Sequence, residues 1–138
     1  MAILINKILD EVRVLGCSDL HFTNGINPVV RLNGQLRKMS GYEEMNEEGI
    51  LEIVEQMTNE QQRRSIAQHK DTDFSFTTRS GYRHRVNVFF QRGFTAIAIR
   101  LLRNDIPTLE DLFLPPILGE FAMRPRGLVL VTGPTGSG

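Results

Sequence analysis

Two long alternating runs near the middle of the chain restrict its fold more than any other feature. From Tyr82 to Gln91, an extended backbone puts Tyr82, His84, Val86, Val88 and Phe90 on one face. Arg83, Arg85, Asn87, Phe89 and Gln91 fall on the other. From Phe94 to Leu102, Thr95, Ile97, Ile99 and Leu101 share one side, and Phe94, Ala96, Ala98 and Arg100 share the other. Arg92-Gly93 turns the chain between them. A period of two with one apolar side describes strands buried on one face and solvated on the other, as in an antiparallel sheet.

The preceding residues supply the rest of such a unit. Leu4, Ile8, Val12 and Leu15 recur at helical spacing and Gly16 stops the pattern, which predicts an amphipathic helix packed on a sheet. Ser18 to Phe22 reads as a turn into a short strand. Val29–Leu32 and Gln35–Lys38 flank Asn33-Gly34, the dipeptide suited to a tight hairpin turn. Asn46 is placed to cap a helix bearing Ile50, Val54 and Met57. Thr58 with Gln61 reads as a capping box opening a more polar helix that runs to about His69. Phe74 and Phe76 alternate with Ser75 and Thr77 as a half-buried strand. After Leu102 the texture changes. Asn104 to Pro107 is a linker-like break, Thr108 with Asp111 caps a short helical turn, and Pro115-Pro116 opens another helix that Pro125 ends.

The last stretch carries the chemistry. Leu128 to Thr132 is an apolar, β-branched run that reads as a strand buried on both faces. Gly133, Pro134, Thr135, Gly136, Ser137 and Gly138 match the first six positions of the phosphate-binding pattern G-x-x-x-x-G-K-[ST]. Glycines serve there because successive N–H groups must approach phosphate oxygens closely. The lysine and the hydroxyl that holds Mg²⁺ belong to positions after Gly138, so the 138 residues are expected to show no ATPase activity and negligible ATP affinity by themselves.

Composition narrows the partners. Sixteen basic residues balance sixteen acidic ones, which argues against a dedicated nucleic-acid binder. One cysteine, Cys17, can form no internal disulfide and fits a reducing cytoplasm or a buried thiol. No apolar run approaches membrane-spanning length, so any membrane association is expected through partners rather than by insertion.

Together these residues resemble the PilT-like branch of the secretion-ATPase superfamily, the type IV pilus retraction motors. The resemblance lies in Ser18-Asp19-Leu20-His21, Pro28 to Gly34, Thr72 to Ser75, Arg85-Val86-Asn87, Thr108 to Leu112 and Arg126 to Gly138. Pilus-assembly ATPases and type II or type IV secretion ATPases are similar to it. The resemblance implies an α/β (α+β) chain. Residues 1–102 would be a PAS-like domain with a mainly antiparallel sheet and about three helices, 103–112 a linker, and 113–138 the start of a RecA-like ATPase domain. It implies ATP and Mg²⁺ as ligands of the whole protein, with none bound to these residues alone. It also implies a homo-hexamer, an inner-membrane platform protein of the pilus as partner, and a cytoplasmic place at the inner face of the bacterial inner membrane.

The same resemblance marks Arg85 and Arg100 as arginines reaching a neighbouring subunit's nucleotide, with Arg83 and Arg92 as further candidates. A guanidinium offers a planar fork to a γ-phosphate and neutralises charge developing there. The bland alternative is a solvated arginine, or one paired with a carboxylate. Asp19 and His21 read as structural, a turn-capping carboxylate and a hydrogen-bonded ring. His21, His69, His84 and Cys17 lack ligand spacing, so no metal site is expected. Tyr82, Arg83, His84, Arg85 and Phe89 could form a nucleic-acid strand, but neutral net charge opposes it. Phe74, Phe76, Val86, Val88 and Phe90 could line a ligand-sensing cavity; core packing accounts for them more simply.

Overall fold

A computed structural model describes residues 2–134; Met1 and Thr135 to Gly138 lie outside the described residues. The chain divides into two compact units, Met1–Asn104 and Asp105–Gly138.

The first unit opens with α1 (Ile5–Val14). It buries Ile5, Ile8, Leu9 and Val12. Leu4 and Leu15, which share its periodicity, are exposed because they sit at the two caps, outside the helical turns. The helix ends as its glycine predicts. Gly16 adopts φ 78°, its N–H donates to the Arg13 carbonyl, and the Cys17 N–H donates to the Val12 carbonyl. This paired closure uses the left-handed backbone that glycine alone adopts freely. Cys17 is left buried, and burial raises its thiol pKa.

Six strands follow the helix into one sheet: β1 (Asp19–Phe22), β2 (Val29–Leu32), β3 (Gln35–Lys38), β4 (Thr72–Thr77), β5 (Arg83–Gln91) and β6 (Phe94–Leu101). Every pairing is antiparallel, in the order β3-β2-β1-β6-β5-β4. The β2–β3 and β5–β6 turns carry positive φ at both central residues, Asn33 and Gly34, then Arg92 and Gly93. That backbone matches the right-handed twist of the flanking strands.

Between β3 and β4 stand α2 (Glu47–Met57) and α3 (Glu60–Ala67). The Asn46 side chain accepts from the Gly49 N–H at 2.8 Å, as its position predicts. The second cap differs from the predicted one by one residue. Asn59 and Gln62 form the capping box, not Thr58 and Gln61. Thr58 is already committed, since its buried hydroxyl donates to the Val54 carbonyl at 2.7 Å.

One face of the sheet is the core. A register row runs Phe74, Val86, Ile99, Leu20, Val30 across β4, β5, β6, β1 and β2. Ile8, Leu9 and Val12 of α1 and Ile50, Ile53 and Val54 of α2 join these residues in one cluster. Val86 and Val88 lie in this cluster and Phe74, Phe76 and Phe90 pack against it, so this set serves the core, as core packing predicts. Truncating a residue such as Ile99 in this layer costs about 2–5 kcal/mol.

The second unit contains a turn at 109–113 and α4 (Ile117–Ala122). Thr108 and Asp111 cap that turn reciprocally: Asp111 Oδ2 accepts from the Thr108 N–H and hydroxyl, and the Asp111 N–H donates back to Thr108 Oγ1. Residues 128–132, expected as a strand buried on both faces, carry no strand pairing, and Leu128 to Val131 are exposed. A parallel-sheet strand is buried by its neighbours, and the described residues of this unit include no other strand to provide them.

Candidate functional site: an arginine row on the open face of the sheet

The face of the sheet opposite the core carries a charged row, with Phe89, Ala96 and Ala98 nearer the β5–β6 turn. Because side chains alternate strictly along each strand, residues paired across one register share a face. The row next to the Leu20 row therefore reads Ser75, Arg85, Arg100, Asp19, Arg31 across β4, β5, β6, β1 and β2. It places three guanidiniums and one carboxylate in a line. Arg85 and Arg100 are direct neighbours in that line.

Each arginine has a carboxylate on one side and solvent on the other. Arg85 donates through Nη2 to Asp73 Oδ2 at 3.0 Å and through Nε to Asp73 Oδ1 at 3.3 Å, a bidentate pair with its side chain 68% exposed. Arg100 donates through Nε to Asp19 Oδ1 at 3.2 Å and is 70% exposed. Arg31 Nε lies 3.5 Å from Asp19 Oδ2, and its Nη1 donates to the Gly34 carbonyl at 3.2 Å. Exposed pairs of this kind contribute little to stability. The fold rests on the opposite face, so these guanidiniums are free to meet another anion.

Asp19 is the sheltered member, only 12% exposed. Burial pushes its pKa up. The Ser18 hydroxyl, donating at 2.7 Å, and the bond and charge of Arg100 outweigh burial and hold it below the usual carboxylate value. His21, two residues on and on the same face, has its pKa lowered by burial; the Arg31 and Arg100 charges act in the same direction and Asp19 against it. The expected hydrogen bond is missing at one nitrogen, since His21 Nε2 is buried without a partner among the described residues.

The other expected residues are dispersed. Arg83 lies on the same face as Arg85, two residues along β5. Arg92 sits in the β5–β6 turn, seven residues from Arg85 and so about 23 Å away along an extended strand. It is not part of the row. Gly133 and Pro134 are exposed in the second unit, and Thr135, Gly136, Ser137 and Gly138 lie outside the described residues. Asp19, read as a turn cap, and Arg31, not singled out at all, stand in the same row as Arg100 and pair with each other. Both stand in the quoted motifs Ser18 to His21 and Pro28 to Gly34, and only the strand order brings them beside Arg100.

The chain is 38% identical over 132 residues to the type IV pilus ATPase PilU of Pseudomonas aeruginosa, covering 96% of itself and 34% of that protein. It is 34% identical over 134 residues to the type IV pilus retraction ATPase PilT of the same organism, covering 97% of itself and 39% of that protein. The crystal structure of the pilus retraction motor PilT with bound ADP superposes with a TM-score of 0.84 at 37% identity, over 97% of this chain and 39% of that one. The chain is a homologue of the PilT-like pilus ATPases. It spans about a third of the length of these curated PilT-like relatives. No protein-family model matches it. The PilT match confirms the mixed α/β class with a largely antiparallel sheet.

Proposed function

We propose that the chain is the N-terminal region of a PilT-like motor ATPase that powers type IV pilus retraction and twitching motility, and that its arginine row acts on a neighbouring subunit's nucleotide. The observation that carries this reading is the pairing of Arg85 with Arg100 on an exposed sheet face, each more than two-thirds open to solvent. Adjacent guanidiniums on a rigid strand pair are suited to a triphosphate, whose terminal oxygens accept several charge-assisted bonds at once. Residues 1–102 would be the PAS-like domain, 103–112 the tether, and 113–138 the entry to the RecA-like domain with Gly133 to Gly138 in its phosphate loop.

The reading places the chain in a homo-hexamer, with the sheet face of one subunit toward the nucleotide of the next. The donor set here fits the phosphates of ATP. It does not fit the metal, because the nearby carboxylates, Asp19 and Asp73, are already held by arginines. Mg²⁺ would be bound by the phosphate-loop side of the site. The cytoplasmic location and the inner-membrane platform partner belong to the same proposal. No described helix is long and apolar enough to cross a membrane.

The test is Arg85→Ala and Arg100→Ala in the whole motor protein, with ring assembly checked by light scattering. ATP turnover should fall roughly 10²-fold or more while assembly persists. An unchanged turnover rate in both variants would remove the arginines from the mechanism.

A further inference from the structure

Opposed arginines are an unusual choice for a sheet. Like charges directly across a ladder repel, yet Arg85 and Arg100 occupy one register position on central strands. Their counter-ions lie on opposite outer sides. Asp73, on β4, takes Arg85, while Asp19, on β1, takes Arg100. Neither carboxylate stands between the two guanidiniums.

The two counter-ions are not alike. Asp73 is half exposed and holds one arginine. Asp19 is sheltered, is fixed from the side by the Ser18 hydroxyl, and divides its two oxygens between Arg100 and Arg31. Both arginines meet it through Nε, the nitrogen nearest the stem. Among the described residues, Arg100 bonds through Nε alone, and Arg31 uses Nη1 besides, for the Gly34 carbonyl. That leaves both terminal nitrogens of Arg100, and Nη2 of Arg31, for an anion on the open face.

We infer that Asp19 is a positioning residue that presents Arg100 and Arg31 together, and that Arg31 is a third phosphate-facing arginine beside Arg85 and Arg100. The inference rests on the proposed reading of the row as a phosphate site. Coulomb repulsion alone says the opposite about Asp19, because a carboxylate beside an anion site repels the anion. Positioning requires that the order it imposes on two long side chains outweigh that repulsion.

Because these residues alone are expected to bind a triphosphate only weakly, the experiment titrates the ¹⁵N-labelled chain with inorganic tripolyphosphate up to roughly 10 mM, followed through the arginine Nε–Hε resonances. The wild-type chain should shift Arg85, Arg100 and Arg31. Asp19→Asn, which keeps the shape and removes the charge, should broaden the Arg100 and Arg31 signals and weaken binding by roughly threefold or more. Asp19→Glu should recover part of the affinity. Asp19→Asn binding equally well or more tightly would overturn the positioning role and leave the row reading intact. Wild-type Arg85 and Arg100 resonances that do not move would overturn both. Arg31→Gln, on the shorter and more exposed β2, asks the same question without touching Asp19: weaker binding supports the third arginine, and unchanged affinity removes it.

Discussion

Arg85 and Arg100 face each other across the β5–β6 ladder, while in the adjacent register pair Val86 faces Ile99 in the core. The same hairpin therefore carries a structural pair on one face and a charged pair on the other. The apolar pair and its layer hold the sheet. The charged pair adds repulsion that only flanking carboxylates or a bound anion relieve. The charged row and the packed core thus lie on opposite sides of a single β-sheet.

That separation predicts unequal responses to truncation. Ile99→Ala should destabilise the chain by about 2–5 kcal/mol through lost burial and a cavity. Arg100→Gln leaves Asp19 its Ser18 hydroxyl and Arg31, and should cost about 1 kcal/mol at most. Urea unfolding of both variants measures the contrast. A loss for Arg100→Gln as large as that for Ile99→Ala would make Arg100 a structural residue.

The boundary between α2 and α3 gives a second test. Asn59→Ala removes the side-chain oxygen that accepts from the Gln62 N–H and should cost about 1 kcal/mol. Thr58→Val removes the hydroxyl bonded to the buried Val54 carbonyl and should cost about 1 kcal/mol by a different route. Gln61→Ala should leave the thermal midpoint where it is, because Gln62 and not Gln61 closes the box. A cost at Gln61 similar to that at Asn59 would contradict the cap.

These cases show what local sequence holds. Asn33-Gly34 and Arg92-Gly93 were legible because a turn's backbone requirement lies within two residues. The cap falls one position later than predicted because Thr58 and Asn59 both suit it, and Thr58 donates its hydroxyl to the Val54 carbonyl one turn back in α2. Leu128 to Val131 read as a buried strand because its composition is right, but burial depends on partners that local pattern does not contain. Arg85 and Arg100 are singled out by the family resemblance, not by strand periodicity, which gives both only as residues of a polar face. That Asp19 and Arg31 share a row with Arg100 depends on β1 lying between β2 and β6, a long-range fact that no strand's own period encodes.

His84 should make stability fall in mild acid. It is fully buried on the core face, and Arg13 Nη2 lies 3.2 Å from its Nε2. The arginine can only donate, so the ring is assigned as neutral with its proton on Nδ1, which is buried and makes no hydrogen bond of good geometry among the described residues. Burial, then the Arg13 charge, lowers its pKa, with the Phe76 and Tyr82 carbonyls pulling the other way. The unfolded chain therefore takes up a proton near pH 6.5 that the folded chain refuses. Stability should be full above about pH 7 and should fall as pH drops below about 6.5, until the lower folded pKa is reached. His21, lowered chiefly by burial, adds to the same loss. His84→Gln keeps an acceptor for Arg13 and should flatten the slope of unfolding free energy against pH, leaving the His21 share. An identical slope in wild type and variant would show that His84 is not the group that titrates.

Arg13 ties the end of the sheet to the first helix, and its loss should loosen that end alone. Its Nη1 donates to the Leu102 carbonyl at 3.0 Å, and its guanidinium carbon stands 4.3 Å from the centroid of the Tyr82 ring. Leu102 is held on its other side by its own N–H, which donates to the Arg83 carbonyl at 3.1 Å. Arg13→Met keeps an apolar stem but removes the donor and the cation, a loss of about 2–3 kcal/mol from two hydrogen bonds, to the Leu102 carbonyl and to His84 Nε2, and one cation–π contact. That energy acts where the chain leaves the sheet, so the Leu102 amide should exchange with solvent about tenfold faster. The Ile99 amide, deep in the ladder, should keep its wild-type rate. If both amides speed up together, Arg13 supports the whole sheet; if neither changes, the contact at Leu102 does not hold the strand end in solution.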